Sequence, residues 1–164
     1  MNNKEIIGFT CSTFDLLHAG HILMLEEAKT QCDYLICGLQ TDPSVDRPKK
    51  NSPIQSYYER FIQLSAVKYV DKIIPYTTEK ELLTILQTNN IDVRILGDEY
   101  ETKPFTGNNL NMGYYFNKRT HNYSTTELRH RTAIKEIYLE DIFNDEKKEK
   151  IKEFIKEHKD GKSK

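Results

Sequence analysis

The sequence predicts an α/β fold: a doubly wound parallel sheet with helices on both faces, followed by a C-terminal helical tail. Short β-branched or aromatic runs alternate with longer segments of helical spacing. The helical segments lie between or after the strands, which is the pattern of a parallel sheet covered by helices. The residues best able to carry chemistry fall just after strands, where ligands collect in open sheets of this kind.

The first strand is read at Ile6–Cys11, an apolar run, and helical spacing follows over Gly20–Thr30. A second apolar run, Tyr34–Leu39, precedes a helix over Ser56–Val67. The third strand, Lys72–Tyr76, leads to a helix at Thr78–Gln87, and the fourth, Val93–Gly97, closes on Asp98. A fifth strand at Gly113–Phe116 precedes a helix over Thr125–Lys135. The whole reads as a Rossmann-like topology. From Lys135 onward the chain becomes rich in Lys and Glu, with Ile151, Phe154, Ile155 and His158 at i, i+3, i+4 and i+7. That spacing gives one apolar stripe on a solvated helix, helped by pairs such as Glu146 with Lys150, and the last residues, DGKSK, are expected to fray.

A chain of 164 residues is the size of one domain, and nothing in it suggests a second. The net charge of −1 gives no basic surface for nucleic acid, which is therefore not an expected partner. No apolar run is long enough to span a bilayer, and the start MNNKEIIGF lacks the apolar core of a signal peptide, so no membrane partner is expected and the location is read as cytoplasmic. Cys11, Cys32 and Cys37 are odd in number and have no zinc-site spacing, which points to reduced, mostly buried thiols. No P-loop and no GxGxxG is present, which disfavours a kinase or a dinucleotide oxidoreductase.

Two stretches stand out. In TFDLLHAGH, His18 and His21 lie three residues apart across Gly20, just after the first strand. A pair at that spacing could be structural or part of a metal site. At a turn into a helix, with a glycine permitting close backbone approach, phosphate binding fits better than metal ligation. In RTHNYSTTE, Ser124 and Glu127 make an S-x-x-E capping box, which alone describes a well-capped helix. With Arg119 upstream and hydroxyls at the helix start, the same segment would also hold a polyphosphate.

TFDLLHAGH resembles the HxGH signature of the cytidylyltransferase-like nucleotidyltransferase superfamily, and RTHNYSTTE resembles its RTxGIST-type signature. The likeness runs from about Gly8 to Ile137, with SYYER, KYVDKIIP and NNIDVRILGDE in the expected order, and is strongest to the glycerol-3-phosphate cytidylyltransferase branch. The resemblance implies a nucleotidyltransferase domain over residues 1–137, with 138–164 as a charged amphipathic helical tail. It implies transfer of CMP from CTP to a small phosphorylated acceptor, with release of pyrophosphate and no covalent enzyme intermediate. Adenylyl transfer to a sugar phosphate, or nucleotide binding without turnover, are the alternative readings. Since an acceptor phosphate is already an anion, the site would need alignment and charge stabilisation rather than a general base.

By the same resemblance, Thr13 and Phe14 would line the nucleotide site, and His18 and His21 would contact the triphosphate. Lys49 or Lys50 would hold phosphate, with Arg60 and Lys68 as further phosphate contacts for the acceptor. Asp98 would face base and ribose, Arg119 and Thr120 would contact the nucleotide, and Ser124 and Thr125 would grip the β and γ phosphates. His18, His21, Lys49 and Arg119 would be the catalytic set. Mg²⁺ would accompany the nucleotide, with no dedicated protein ligand visible, and a homodimer is expected. The chain departs from the family pattern at Ser12, where Gly is usual, at Asn122 and Tyr123 in place of Gly-Ile, at Glu99-Tyr100, and in the PFTGNN loop at Pro104–Asn109. Asn122 is one of the few non-glycine residues that tolerates a left-handed backbone.

Overall fold

A computed structural model describes residues 4–142 and 145–159. The chain divides into two compact units, Met1–Thr125 and Thr126–Lys164. In the first, β1 (Ile7–Ser12), β2 (Tyr34–Gln40), β3 (Lys72–Tyr76), β4 (Val93–Gly97) and β5 (Gly113–Asn117) form one sheet in the order β3-β2-β1-β4-β5. Every pairing is parallel. The elements are those the sequence predicts, with ends shifted by a residue or so. Ser12, Gln40 and Asn117 each extend a strand beyond its expected end.

The connecting helices are α1 (Ala19–Lys29), α2 (Tyr57–Ser65) and α3 (Glu79–Thr88). Side chains alternate across the strands, and the sheet carries a core on each face. On one face Leu35, Cys37, Leu39 and Ile95 pack with Leu25 and Ala28 of α1 and Leu64 of α2. On the other, Phe9, Ile36 and Tyr76 pack with Leu82 and Leu86 of α3. Helices therefore cover both faces, and the carboxyl edge of the sheet is left to loops and helix starts.

Those starts are well terminated. Ser56 and Glu59 form a reciprocal capping box on α2, Ser56 Oγ accepting the Glu59 N–H at 3.3 Å and the Glu59 carboxylate accepting the Ser56 N–H at 2.7 Å. Thr78 accepts the Glu81 N–H at 3.2 Å to begin α3. Glu27 and Met24 of α1 bind the end of β5: the Glu27 carboxylate accepts the Tyr115 hydroxyl and the Lys118 N–H, and the Met24 carbonyl accepts from the Asn117 amide.

The chain enters α4 (Thr125–Ile142), which runs past the expected end at Lys135, and α5 (Asp145–Lys159) follows. On α5, Ile151 is half-buried and Phe154 and Ile155 are exposed, with Lys152 paired to Glu149 at 2.9 Å. The side chains of Glu146 and His158, on which the expected pair with Lys150 and part of the apolar stripe rest, and residues 160–164, where fraying is expected, lie outside what the structure describes. Among the described residues no helix is long and apolar enough to cross a membrane. Cys11, Cys32 and Cys37 are free thiols, and burial raises the pKa of each.

Candidate active site

The loop from β1 to α1 is held in an unusual backbone. Phe14 and Leu16 adopt φ of 50° and 49°, a region that costs a non-glycine residue about 1–3 kcal/mol. Each link of the loop has a partner that fixes it. Ser12 Oγ accepts the Phe14 N–H at 3.4 Å, so the hydroxyl standing where the family has Gly supports the turn. The buried Asp15 carboxylate accepts the N–H groups of Ile54 and Gln55 at 3.0 and 2.9 Å, and Gln55 Oε1 accepts the Leu16 N–H at 2.7 Å.

The two histidines of the first motif cap α1 reciprocally. His18 Nδ1 accepts the Gly20 N–H at 3.0 Å, and His21 Nδ1 accepts the His18 N–H at 3.4 Å. The rings lie 4.0 Å apart between centroids, and the Phe14 ring sits 5.4 Å from His21. With each Nδ1 engaged as acceptor, the network assigns the proton of both neutral rings to Nε2. Each ring then has one N–H to offer and no free lone pair, which suits a hydrogen-bond donor and not a general base. Consistently, His18 Nε2 lies 3.4 Å from Thr125 Oγ1, whose own proton goes to the Asp15 carbonyl at 3.0 Å.

Electrostatics keep the pair neutral. Burial, followed by the neighbouring His18, lowers the His21 pKa to about 4, against a small opposing effect of Asp15. His18 is lowered too, by burial and then by His121 and Arg119. Near neutral pH the motif therefore presents uncharged N–H donors.

The second motif supplies a third imidazole that the sequence reading left out of the site. His121 Nδ1 accepts the Tyr123 N–H at 3.2 Å, and its ring stacks on Tyr123 at 5.0 Å. A Cβ added to Gly20 would lie 2.9 Å from His18 Cε1, 3.0 Å from His121 Cε1 and 3.0 Å from the Tyr123 carbonyl oxygen. Only glycine lets the 119–124 loop approach α1 this closely. His121 occupies the variable position of its motif, so a pattern of fixed residues passes over it. Asp15 is the other omission, although it stands inside TFDLLHAGH.

Of the expected residues, His18, His21, Arg119, Ser124 and Thr125 gather at this edge of the sheet. Arg119 donates to two carbonyls of its own loop, His121 at 3.3 Å and Tyr123 at 3.0 Å. Thr120 is exposed in the same loop, and Thr13 is half-buried at the end of β1. Asp98 is exposed immediately after β4. Lys49 and Lys50 are exposed in the loop after β2, and neither pairs with a carboxylate among the described residues.

Four expectations need correction. Arg60 is only 1% exposed, and its guanidinium donates to the carbonyls of Thr13, Gln40, Thr41 and Gln55, leaving no face for a substrate phosphate. Lys68 lies over the Tyr69 ring in the connection that enters β3, at the opposite edge of the sheet from His18. The Phe14 ring is buried in the core, so that residue has only its backbone to offer a nucleotide. Asn122 does not use the left-handed backbone; among the described residues the non-glycine positions that do are Phe14, Leu16 and Asn90.

The cytidylyltransferase-like family model matches residues 9–131. Glycerol-3-phosphate cytidylyltransferase of Bacillus subtilis (strain 168) is 36% identical over 131 residues, covering 79% of this chain and 98% of that protein. The bifunctional protein HldE of Caulobacter vibrioides is 36% identical over 109 residues, covering 66% of this chain and only 22% of that longer protein. Among solved structures, the lipopolysaccharide core biosynthesis protein from Thermoplasma volcanium GSS1 superposes with a TM-score of 0.57 at 26% identity, covering 71% of this chain and 99% of its own. A family match over residues 9–131, joined to a relative matched over nearly its whole length, identifies the chain as a nucleotidyltransferase of the cytidylyltransferase-like family.

Proposed function

We propose that the chain transfers CMP from CTP to a small phosphorylated acceptor, glycerol 3-phosphate foremost. An acceptor phosphate oxygen attacks the α-phosphorus of CTP. The bond from that phosphorus to the bridging oxygen breaks, and pyrophosphate leaves with the bonding pair. The acceptor is largely ionised at neutral pH, so no proton need be removed from it. The task is to align two anions and to stabilise charge on the departing pyrophosphate.

The observation that carries this reading is the reciprocal histidine cap. It fixes two Nε2–H donors at the start of α1 without placing a base there, which is what such a displacement requires. Arg119 and Thr125 are assigned to the triphosphate, and Asp98 to base and ribose. Lys49 and Lys50 are assigned to anionic oxygens brought by the second substrate. Mg²⁺ prefers oxygen ligands and keeps several waters. Among the described residues no group of three His, Cys, Asp or Glu side chains is placed to hold a metal, and both Asp15 oxygens already accept backbone N–H groups. The ion is assigned to the phosphates of the nucleotide.

Adenylyl transfer is the second reading, supported by the likeness to HldE. Incubation of the protein with each nucleoside triphosphate, Mg²⁺ and glycerol 3-phosphate, with pyrophosphate measured, separates the two. Release with CTP is expected; release with ATP and not with CTP would overturn the choice of nucleotide.

A further inference from the structure

A second group of polar side chains lies on the α3 face of the sheet, and the histidine site makes no use of it. At its centre is Arg94 of β4, only 3% exposed, with a buried Nη1 that has no hydrogen-bond partner. Its guanidinium lies 5.3 Å from the Phe105 ring centroid, and a Cβ added to Gly107 would come within 3.4 Å of Nη1. Gly107 has φ +80°, so the loop carrying Phe105 can pass this close only with glycine there. Cys11 feels both Arg94 and Glu79, while Tyr76 and Tyr100 each feel Cys11, Glu79 and Arg47. These side chains form one cluster.

One of its cations has no counter-charge. The Glu79 carboxylate faces Arg47 Nη1 at 3.4 Å and accepts the Thr106 hydroxyl at 2.5 Å. Arg47 is met by a second carboxylate, Asp46, whose Oδ1 lies 3.9 Å from its Nε, whereas Arg94 has no carboxylate within ion-pair distance among the described residues. Arg94 thus stands without a counter-charge of its own, and buried cations are ordinarily paired. A buried guanidinium with an unused N–H has the chemistry to receive an oxyanion, since its planar fork matches carboxylate and phosphate.

The place is also telling. Arg94 sits opposite Phe9 on β1, and its side chain reaches Cys11, two residues before Thr13. β1 lies between β2 and β4, so the strand order reverses at the β1 and β4 pair, and open α/β sheets bind ligands at such a switch point. Two of the four residues expected to hold the acceptor do not compete for the role: Arg60 is engaged by four carbonyls and Lys68 lies at the far edge.

We propose that Arg94 determines acceptor specificity by receiving an oxyanion of the acceptor, a phosphate or a carboxylate, against the wall made by Phe105. The inference rests on the reading of the chain as an enzyme that transfers a nucleotide to an anionic acceptor. Glu79, Tyr76 and Tyr100 supply polar groups beside that oxyanion for acceptor hydroxyls.

Calorimetric titration of the full-length chain with glycerol 3-phosphate, 3-phosphoglycerate and inorganic phosphate tests it, with CTP and ATP titrations as the nucleotide control. Arg94→Met should weaken acceptor binding by at least about 30-fold, as loss of one partner of a buried charge pair does, while nucleotide affinity stays within about twofold. Equal losses for all three ligands would assign Arg94 to phosphate; a loss confined to 3-phosphoglycerate would assign it to the carboxylate. Arg94→Lys keeps the charge without the fork and should fall between wild type and Arg94→Met; it decides the question if the methionine variant does not fold. Unchanged acceptor affinity in a folded variant, parallel loss of nucleotide binding, or no binding of any of the three ligands to the wild type would overturn the inference. Wild-type protein that binds acceptor but releases no pyrophosphate with any nucleotide would instead overturn the transfer reading.

Discussion

Lowering the pH from 7 to 5 should destabilise the protein through His21. Burial and the neighbouring His18 ring lower its folded-state pKa from 6.5 to about 4. Between those two values the unfolded chain binds the proton and the folded one does not, so stability rises with pH across that window. The contribution is fully present above pH 6.5 and is lost as the pH falls toward 4. At pH 5 an unfolded imidazole is almost wholly protonated and His21 in the fold about one-tenth so, a difference of about 2 kcal/mol. For a urea dependence of about 2 kcal/mol per molar, the unfolding midpoint should move down by about 1 M.

Other titratable groups add their own pH dependence, and comparison with a His21→Gln variant removes their contribution. Glutamine at the third helical position can still accept the His18 N–H, so the cap survives while the titration is lost. Urea unfolding of both proteins at pH 7 and pH 5 should show the extra loss of about 2 kcal/mol in the wild type alone. An equal pH dependence in the two proteins would refute the account of His21 as a half-buried, neutral donor.

The proposed roles lead to further measurable outcomes. Replacing His18 or His21 with Ala should lower kcat by about 10²–10³, the scale of losing a preorganised oxyanion donor, in a pyrophosphate-release assay on protein whose circular dichroism is unchanged. Arg60→Met should destabilise the fold by about 3–5 kcal/mol in urea unfolding, because it removes a buried cation and strands its four carbonyl acceptors. A well-folded Arg60→Met protein with only a raised KM for acceptor would return Arg60 to phosphate binding. Lys49→Ala or Lys50→Ala should chiefly raise the apparent KM for one anionic substrate, and kinetics indistinguishable from wild type would make the loop an ordinary solvated one.

The strands and helices were legible because each carries a local signal. Ser56 with Glu59 and Thr78 before Glu81 mark helix starts in the sequence and serve as caps in the fold. His18 and His21 were legible as a pair because the motif fixes their spacing. What spacing does not reveal is which side of the chain faces the core. Arg60 reads as a surface charge on a short helix, yet it is buried on backbone carbonyls contributed by residues 13, 40, 41 and 55, contacts no local pattern encodes. Arg94 is the converse: within VRILG it looks like a break in an apolar strand, and only the fold brings Phe105, Gly107 and Cys11 around it. Asn122 followed sound reasoning from residue type, but the loop meets its need for close approach at Gly20 instead.

The clamp around the β1 to α1 loop ties the histidine site to α2. Thr13 gives its carbonyl to Arg60, Leu16 gives its N–H to Gln55, and Asp15 accepts from Ile54 and Gln55. Gln55 directly precedes the Ser56 cap of α2, and Arg60 belongs to the first turns of the same helix. The strained conformations of Phe14 and Leu16 therefore persist because a second element holds the backbone on either side of them. His18 follows two residues after Leu16, so the position of its ring depends on α2 as well as on α1. Damage to the clamp should then appear as lost transition-state stabilisation even though none of its side chains touches the reacting phosphates. The lysine loop begins directly after β2 and ends at this clamp, and Arg60 holds it at both ends through Thr41 and Gln55. One buried guanidinium thus sets the geometry of the histidine donors and of the loop assigned to the second substrate, which is the coupling an in-line displacement between two anions requires.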